Sequence, residues 1–200
     1  MLVIGLTGSI GMGKSTVAQR FTANGIAVFD ADAVVHELYE GEAVSIIEAA
    51  FPGSTRDGRV DRTCLALMLK KDKGALGRLE KIVHPMVRAK REKFLTTQEN
   101  AGAHMVVLEI PLLFETGGEQ QIDVSVVVSA PVDVQRARVM ERPGMSEDKL
   151  DALLANQMPD AEKRRRADYV VDTNRPIEDT AVEIDKLIEL LRARVNAAQD

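Results

Sequence analysis

The run "GSIGMGKS" at residues 8–15 constrains this chain more tightly than any other stretch. It matches G-x-x-x-x-G-K-[ST] in full, with Gly8, Gly13, Lys14 and Ser15 at the fixed positions. So glycine-rich a run suits neither helix nor strand, yet it joins an apolar strand pattern at 2–7 (LVIGLT) to a helical pattern at 14–23. In that setting consecutive backbone N–H groups can curl round a phosphate, where side chains would block the approach. The helix starting near Lys14 adds partial positive charge at its N-terminus. Lys14 is placed to reach β- and γ-phosphates, and the Ser15 hydroxyl to bind Mg²⁺. The stretch is therefore expected to hold a nucleoside triphosphate.

Beyond this loop, short apolar stretches alternate with helical patterns. Strands are expected at 27–29, ending on Asp30, then at 106–110, 123–129 (DVSVVVS) and 169–172. Helices are expected at 132–141, at 147–157 with Ser146 as its cap, and at 176–195. Residues 33–97 read as mostly helical, broken by the loop FPGSTRDG and by Pro85. Alternation of this kind predicts an α/β fold, a mostly parallel sheet of five strands with helices on both faces. Two helical excursions interrupt it, at about 33–100 and 136–166. Inserted between strands of one sheet, they are expected over its carboxyl edge, where ligands bind in open α/β sheets.

The bulk numbers narrow the function class. A length of 200 residues suits one domain with inserted subdomains. The formal net charge of -5, with no Trp and two Tyr, argues against a nucleic-acid partner. No apolar run is long enough to span a bilayer, so no membrane partner is expected. The N-terminal apolar stretch is short and lacks a basic leader, so it is not expected to be a secretion signal. Cys64 is the single cysteine, which fits a reducing, cytoplasmic setting. Oligomeric state is left open.

A triphosphate-binding loop does not say what happens to the phosphate. The guanine-reading N-K-x-D motif of GTPase switches is absent. A small chain with flaps points to phosphoryl transfer to a small acceptor, with closure keeping water out. Asp30 and Asp32 fall where the second strand ends, beside the phosphate loop in a parallel sheet. In extended chain their side chains would point the same way. Asp32 could then accept the proton of an attacking hydroxyl; the other reading is a pair of helix caps before AVVHEL. Glu109 closes the run MVVLE, as a support for Mg²⁺ or simply as a strand-end glutamate. Arg138 and Arg142 lie four apart, on one face of an expected helix, where guanidinium groups can meet transition-state charge. The basic run from Lys163 to Arg166 reads mostly as a solvated helical face.

In order along almost the whole chain, LTGSIGMGKST, DADAVVHEL, LEKIVHPMV, IPLLFETG, VQRARVMER, ANQM and RRRADYVVDTN resemble the dephospho-CoA kinases. The resemblance implies a P-loop NTPase fold of the nucleotide-kinase kind: a core at 1–32, 103–135 and 167–200, a helical CoA-binding domain at 33–102, and a lid at 136–166. It implies transfer from ATP, with Mg²⁺, to the ribose 3′-hydroxyl of dephospho-CoA. Gly11, Met12, Gly13, Lys14, Ser15 and Thr16 would bind the ATP phosphates, and Asn174 would lie beside the adenine. Asp32 would be the base and Arg138 and Arg142 the lid arginines. His84 and the segment Pro111, Leu112, Leu113 to Glu115 would line the acceptor site. Ser9, Glu109 and Arg175 depart from the usual residues of that family. The alternatives are a kinase of another small alcohol or nucleoside monophosphate, and a nucleotide-gated regulatory protein.

Overall fold

The computed structural model describes residues 1–197. The described chain divides into two compact units, one formed by 1–29 and 98–197 and the other by 30–97.

The first unit is built on a five-stranded sheet. Its strands are β1 (Leu2–Thr7), β2 (Ala27–Asp30), β5 (Met105–Glu109), β6 (Val124–Ser129) and β7 (Tyr169–Asp172), in the spatial order β2-β5-β1-β6-β7. β1 runs parallel to both β5 and β6, and β6 parallel to β7. β5 and β6 are buried at every residue, which explains why they read as unbroken apolar runs. The order also corrects an expectation. β5 intervenes between β2 and β1, so the strand end flanking the glycine loop on that side is Glu109, paired in register with Leu6. Around the sheet lie α1 (Lys14–Ala23), α6 (Val132–Met140), α7 (Glu147–Leu154), α8 (Asp160–Arg166) and α9 (Ile177–Ala197). The main core joins Ile4, Leu6, Val126 and Val128 to Val17 and Phe21 of α1 and to Ile184, Ile188 and Leu191 of α9.

Two helix ends differ from expectation. α6 stops at Met140, so Arg142 sits beyond it in a turn rather than four along one helical face from Arg138. The cause is Pro143, which disfavours helical backbone at the residue before it. α7 is capped by Ser146 as expected but ends at Leu154, and the separate short α8 follows.

The second unit holds α2 (Ala31–Glu40), α3 (Val44–Ala50), α4 (Arg62–Lys71) and the long α5 (Ala75–Asn100), which reaches beyond it. They close over a core of Leu38, Ile47, Phe51, Val60, Leu65, Leu79 and Val83. The expected loop FPGSTRDG holds the first strand and the turn of a hairpin, β3 (Thr55–Arg56) and, just beyond the loop, β4 (Arg59–Val60). Its two-residue connection is Asp57 (φ 50) and Gly58 (φ 76), the positive-φ pair that matches strand twist. Pro85 does not break α5 either. It is exposed, and the Lys81 carbonyl that its missing N–H leaves free belongs to an exposed residue too. Asp30 and Asp32 are likewise corrected. Asp30 caps α2, its carboxylate accepting from the N–H groups of Asp32 (2.9 Å) and Ala33 (3.0 Å). Asp32 therefore lies in the first helical turn and not in extended chain.

Candidate active site

The glycine loop is shaped by what packs under it. Gly11 has φ +79, and a Cβ there would come within 2.5 Å of Val139 Cγ2, so only glycine fits. Gln135 Nε2 of α6 donates to Ile10 O (2.7 Å), and Gln135 is itself buried. Met12 is buried in the core, so its part in the loop is played by its backbone. Gly13, at φ 88, precedes the first residue of α1 with no side-chain cap. The N–H groups of Gly11, Gly13, Lys14 and Ser15 thus have no partner among the described residues, and they form a nest of donors at a helix start. Ser15 and Thr16 are exposed at that turn.

Lys14 Nζ is held at 2.8 Å by Glu109 Oε1. The Lys14 side chain retains 16% exposure and that of Glu109 9%, so the pair is nearly buried but opens on the loop. A strand-end glutamate that touches the loop lysine steers the ammonium. Among the described residues no three acidic, His or Cys side chains gather to hold a metal ion. A cation here would take the Ser15 hydroxyl, one carboxylate and phosphate oxygens, the sparse donor set that suits Mg²⁺.

One contributor was not foreseen. Thr173, just past β7, donates from Oγ1 to Met12 O (2.8 Å) and accepts from Arg138 Nη1 (3.0 Å), while its carbonyl accepts from Arg138 Nη2 (2.7 Å). Arg138 is thereby tied to the floor of the loop. No signal in the sequence points to Thr173, because a threonine beside Asn174 carries no local motif. Asn174 is exposed, its N–H bound by Asp172 Oδ1 (2.8 Å). Arg142 is exposed with no ion pair among the described residues, whereas Arg136 pairs with Glu147 and Asp151 and joins α6 to α7.

The segment 110–115 leaves β5 directly after Glu109. Ile110 N–H donates to Leu6 O (2.9 Å), and Thr7 Oγ1 to Pro111 O (3.3 Å). Leu113 and Phe114 are buried against Val127, so they seat the segment, and Leu112 is its exposed apolar residue at 38%. Glu115 Oε1 accepts from Met158 N–H (2.8 Å) and lies 2.9 Å from Lys163 Nζ. Burial pushes this carboxyl up, but Lys163 and the Met158 N–H outweigh it and hold Glu115 below the ordinary range. Of the basic run, Arg164, Arg165 and Arg166 are exposed as expected, while Lys163 is fully buried.

In the second unit, the Asp32 carboxylate is exposed and accepts no hydrogen bond among the described residues. His84 is exposed on α5 with no partner among them.

A family pattern described as dephospho-CoA kinase matches residues 2–179. The chain belongs to the dephospho-CoA kinase family. It is 55% identical to the dephospho-CoA kinase of Rhodopseudomonas palustris strain HaA2, covering 94% of this chain and 95% of that one. Identity to the dephospho-CoA kinase of Mesorhizobium japonicum is 53%, over 97% and 98%. Among solved structures, dephospho-CoA kinase from Campylobacter jejuni superposes with TM-score 0.71 at 26% identity, covering 94% of this chain and 96% of that one. A shikimate kinase from Bacteroides thetaiotaomicron, at TM-score 0.52 and 16% identity over 94% and 98%, shares the fold. The P-loop NTPase fold assignment stands.

Proposed function

We propose that this protein transfers the γ-phosphoryl group of ATP to the 3′-hydroxyl of the ribose in dephospho-CoA, giving coenzyme A and ADP. The family match carries this reading, because it spans residues 2–179 and so includes the acceptor-side segments as well as the phosphate loop. The nest of free N–H groups of Gly11, Gly13, Lys14 and Ser15 grips the phosphates. Lys14 exchanges its Glu109 contact for phosphate oxygens, and Arg138, fixed on Thr173, presents its charge beside the same loop. Arg142, unpaired beyond the end of α6, supplies a mobile guanidinium for the equatorial oxygens. Asp32 takes the hydroxyl proton; its free carboxylate in the first turn of α2 supports that role. Ser15, with Glu109 in support, would hold Mg²⁺, which when bound neutralises charge on the β- and γ-phosphates. Residues 33–102, with His84, and the segment Pro111 to Glu115 hold the acceptor. Residues 136–166 close as a lid that excludes water, and Asn174 contacts the adenine. The lone cysteine supports a cytoplasmic setting.

The deciding experiment offers ATP with dephospho-CoA, AMP or shikimate and follows ADP release, with phosphorus NMR on the product. Turnover with dephospho-CoA and a new 3′-phosphate are expected; turnover of AMP with dephospho-CoA inert would overturn the reading. Asp32→Asn should keep ATP affinity and lower kcat by about 10²–10⁴, the usual worth of a positioned base. Turnover at the wild-type rate would remove Asp32 from that role.

A further inference from the structure

Lys163 is the most deeply buried charge in the described chain, at 0% exposure, in a helix whose other basic residues face solvent. An ammonium is not taken out of water without a partner that repays its lost hydration. Its partner is Glu115, and the pairing is lopsided. Glu115 Oε2 is buried with no hydrogen-bond partner, and Lys163 Nζ, though 2.9 Å from Glu115 Oε1, makes no hydrogen bond of regular geometry, so the carboxylate is held at Oε1 alone, by the Lys163 charge and the Met158 N–H. Lys163 Nζ reaches no other carboxylate within ion-pair distance among the described residues.

Glu115 stands at the far end of the segment that begins at Glu109. The near end is pinned by the sheet and by Thr7, and the middle by burial of Leu113 and Phe114. Beyond Glu115 the chain turns back through Gly117 (φ +68), and the Gly118 N–H donates to Leu113 O (2.8 Å), so the turn closes on the segment itself. The Glu115 carboxylate is the group that ties this end of the segment to Met158 and Lys163. Met158, from the stretch just before α8, packs in the same small apolar cluster, so this anchor is bonded to that stretch and to α8 together.

We propose that Lys163 is a positioning residue for acceptor binding: through its buried ion pair it fixes Glu115, and with it the segment Pro111–Glu115 and the exposed face of Leu112. Lys163 cannot touch substrate itself. This inference rests on the reading that the segment lines the dephospho-CoA site.

The test compares Lys163→Met, the double variant Lys163→Met/Glu115→Gln, and Leu112→Ala, with KM measured separately for ATP and dephospho-CoA and Tm alongside. Lys163→Met should lower Tm and raise KM for dephospho-CoA by about tenfold, since small misplacements of a positioning segment are costly, with KM for ATP nearly unchanged. The double variant has no unpaired buried charge, so Tm should recover most of its loss. KM for dephospho-CoA should stay raised, because a neutral amide no longer draws the segment to α8. Recovery of both Tm and KM in the double variant would reduce the pair to a contributor to stability and overturn the proposal. An equal rise of both KM values would overturn it too. Leu112→Ala separates the two layers: it should raise KM for dephospho-CoA on its own. If it does so while Lys163→Met does not, the positioning role falls and the acceptor reading survives. If Leu112→Ala has no effect on that KM, the acceptor reading falls, and the inference with it.

Discussion

Two lysine–glutamate pairs bracket the segment from Glu109 to Glu115, with nearly equal separations, 2.8 Å for Lys14 and 2.9 Å for Lys163. By distance they are the same interaction. Their surroundings make them opposites. Lys14 starts a helix, keeps 16% exposure and borders a nest of free N–H groups, so an arriving phosphate can compete with Glu109 for it. Lys163 has no exposure and no alternative partner, so its pair acts as a strut. The difference teaches that the role of an ion pair follows from what else each charge can reach, not from its length.

The largest expected effect tests the strut. Lys163→Met strands Glu115, and breaking one half of a buried pair costs about 3–5 kcal/mol. Urea unfolding should show this as a fall in midpoint at unchanged slope. A loss no larger than that of an exposed pair would erase the contrast with Lys14.

The next effect is catalytic. Lys14→Met should lower kcat by about 10²–10³, as for loss of one preorganised electrostatic donor. Its stability loss should be clearly smaller than that of Lys163→Met, because water can reach Glu109 through the opening that Lys14 vacates. If unfolding shows the two variants equally destabilised, both pairs are struts.

The contrast was only half legible beforehand. Lys14 stands in a local motif whose chemistry needs adjacent residues, so its place could be read from eight letters of sequence. β1, α1 and β7 emerged with the expected bounds for the same reason, short apolar runs meeting strong stop signals. Lys163 stands in EKRRRAD, where three of four basic residues do face solvent, and its burial depends on a glutamate remote in sequence. Nothing local distinguishes it. Other misses were local signals given too little weight: Asp57-Gly58 as a hairpin turn, and Pro143 as the stop that puts Arg142 beyond α6. Asp30 as a cap was the second of the two readings its place allowed. Pro85 is the reverse case, a breaker overruled because its side of α5 faces solvent. Thr173 was invisible because its hydrogen-bond partners, Met12, Ser129 and Arg138, lie on three separate stretches of chain.

Thr173→Val sharpens the comparison at the nucleotide end. The substitution keeps shape and removes the hydroxyl that bridges Met12 O and Arg138. Leaving a buried carbonyl short of its donor costs about 1–3 kcal/mol. Part of that should surface as a raised KM for ATP, with KM for dephospho-CoA steady. A rise confined to the acceptor KM would mean that Thr173 does not organise the phosphate loop.

The smallest effect is a pH dependence at the strut. Glu115 is held below its ordinary value of 4.5, because Lys163 and the Met158 N–H favour the charged form more than burial opposes it. A carboxyl whose folded pKa is depressed binds its proton more readily in the unfolded chain. The stability it contributes is complete above the unfolded value and drains away as pH falls through the folded one. Wild-type protein should therefore lose part of its Tm as pH falls below about 4.5 through protonation of Glu115. Glu115→Gln has no proton to gain there, so its Tm should start lower at neutral pH and fall less steeply over the same interval. Parallel Tm curves for wild type and Glu115→Gln would show that the Lys163 pair contributes no stability of its own.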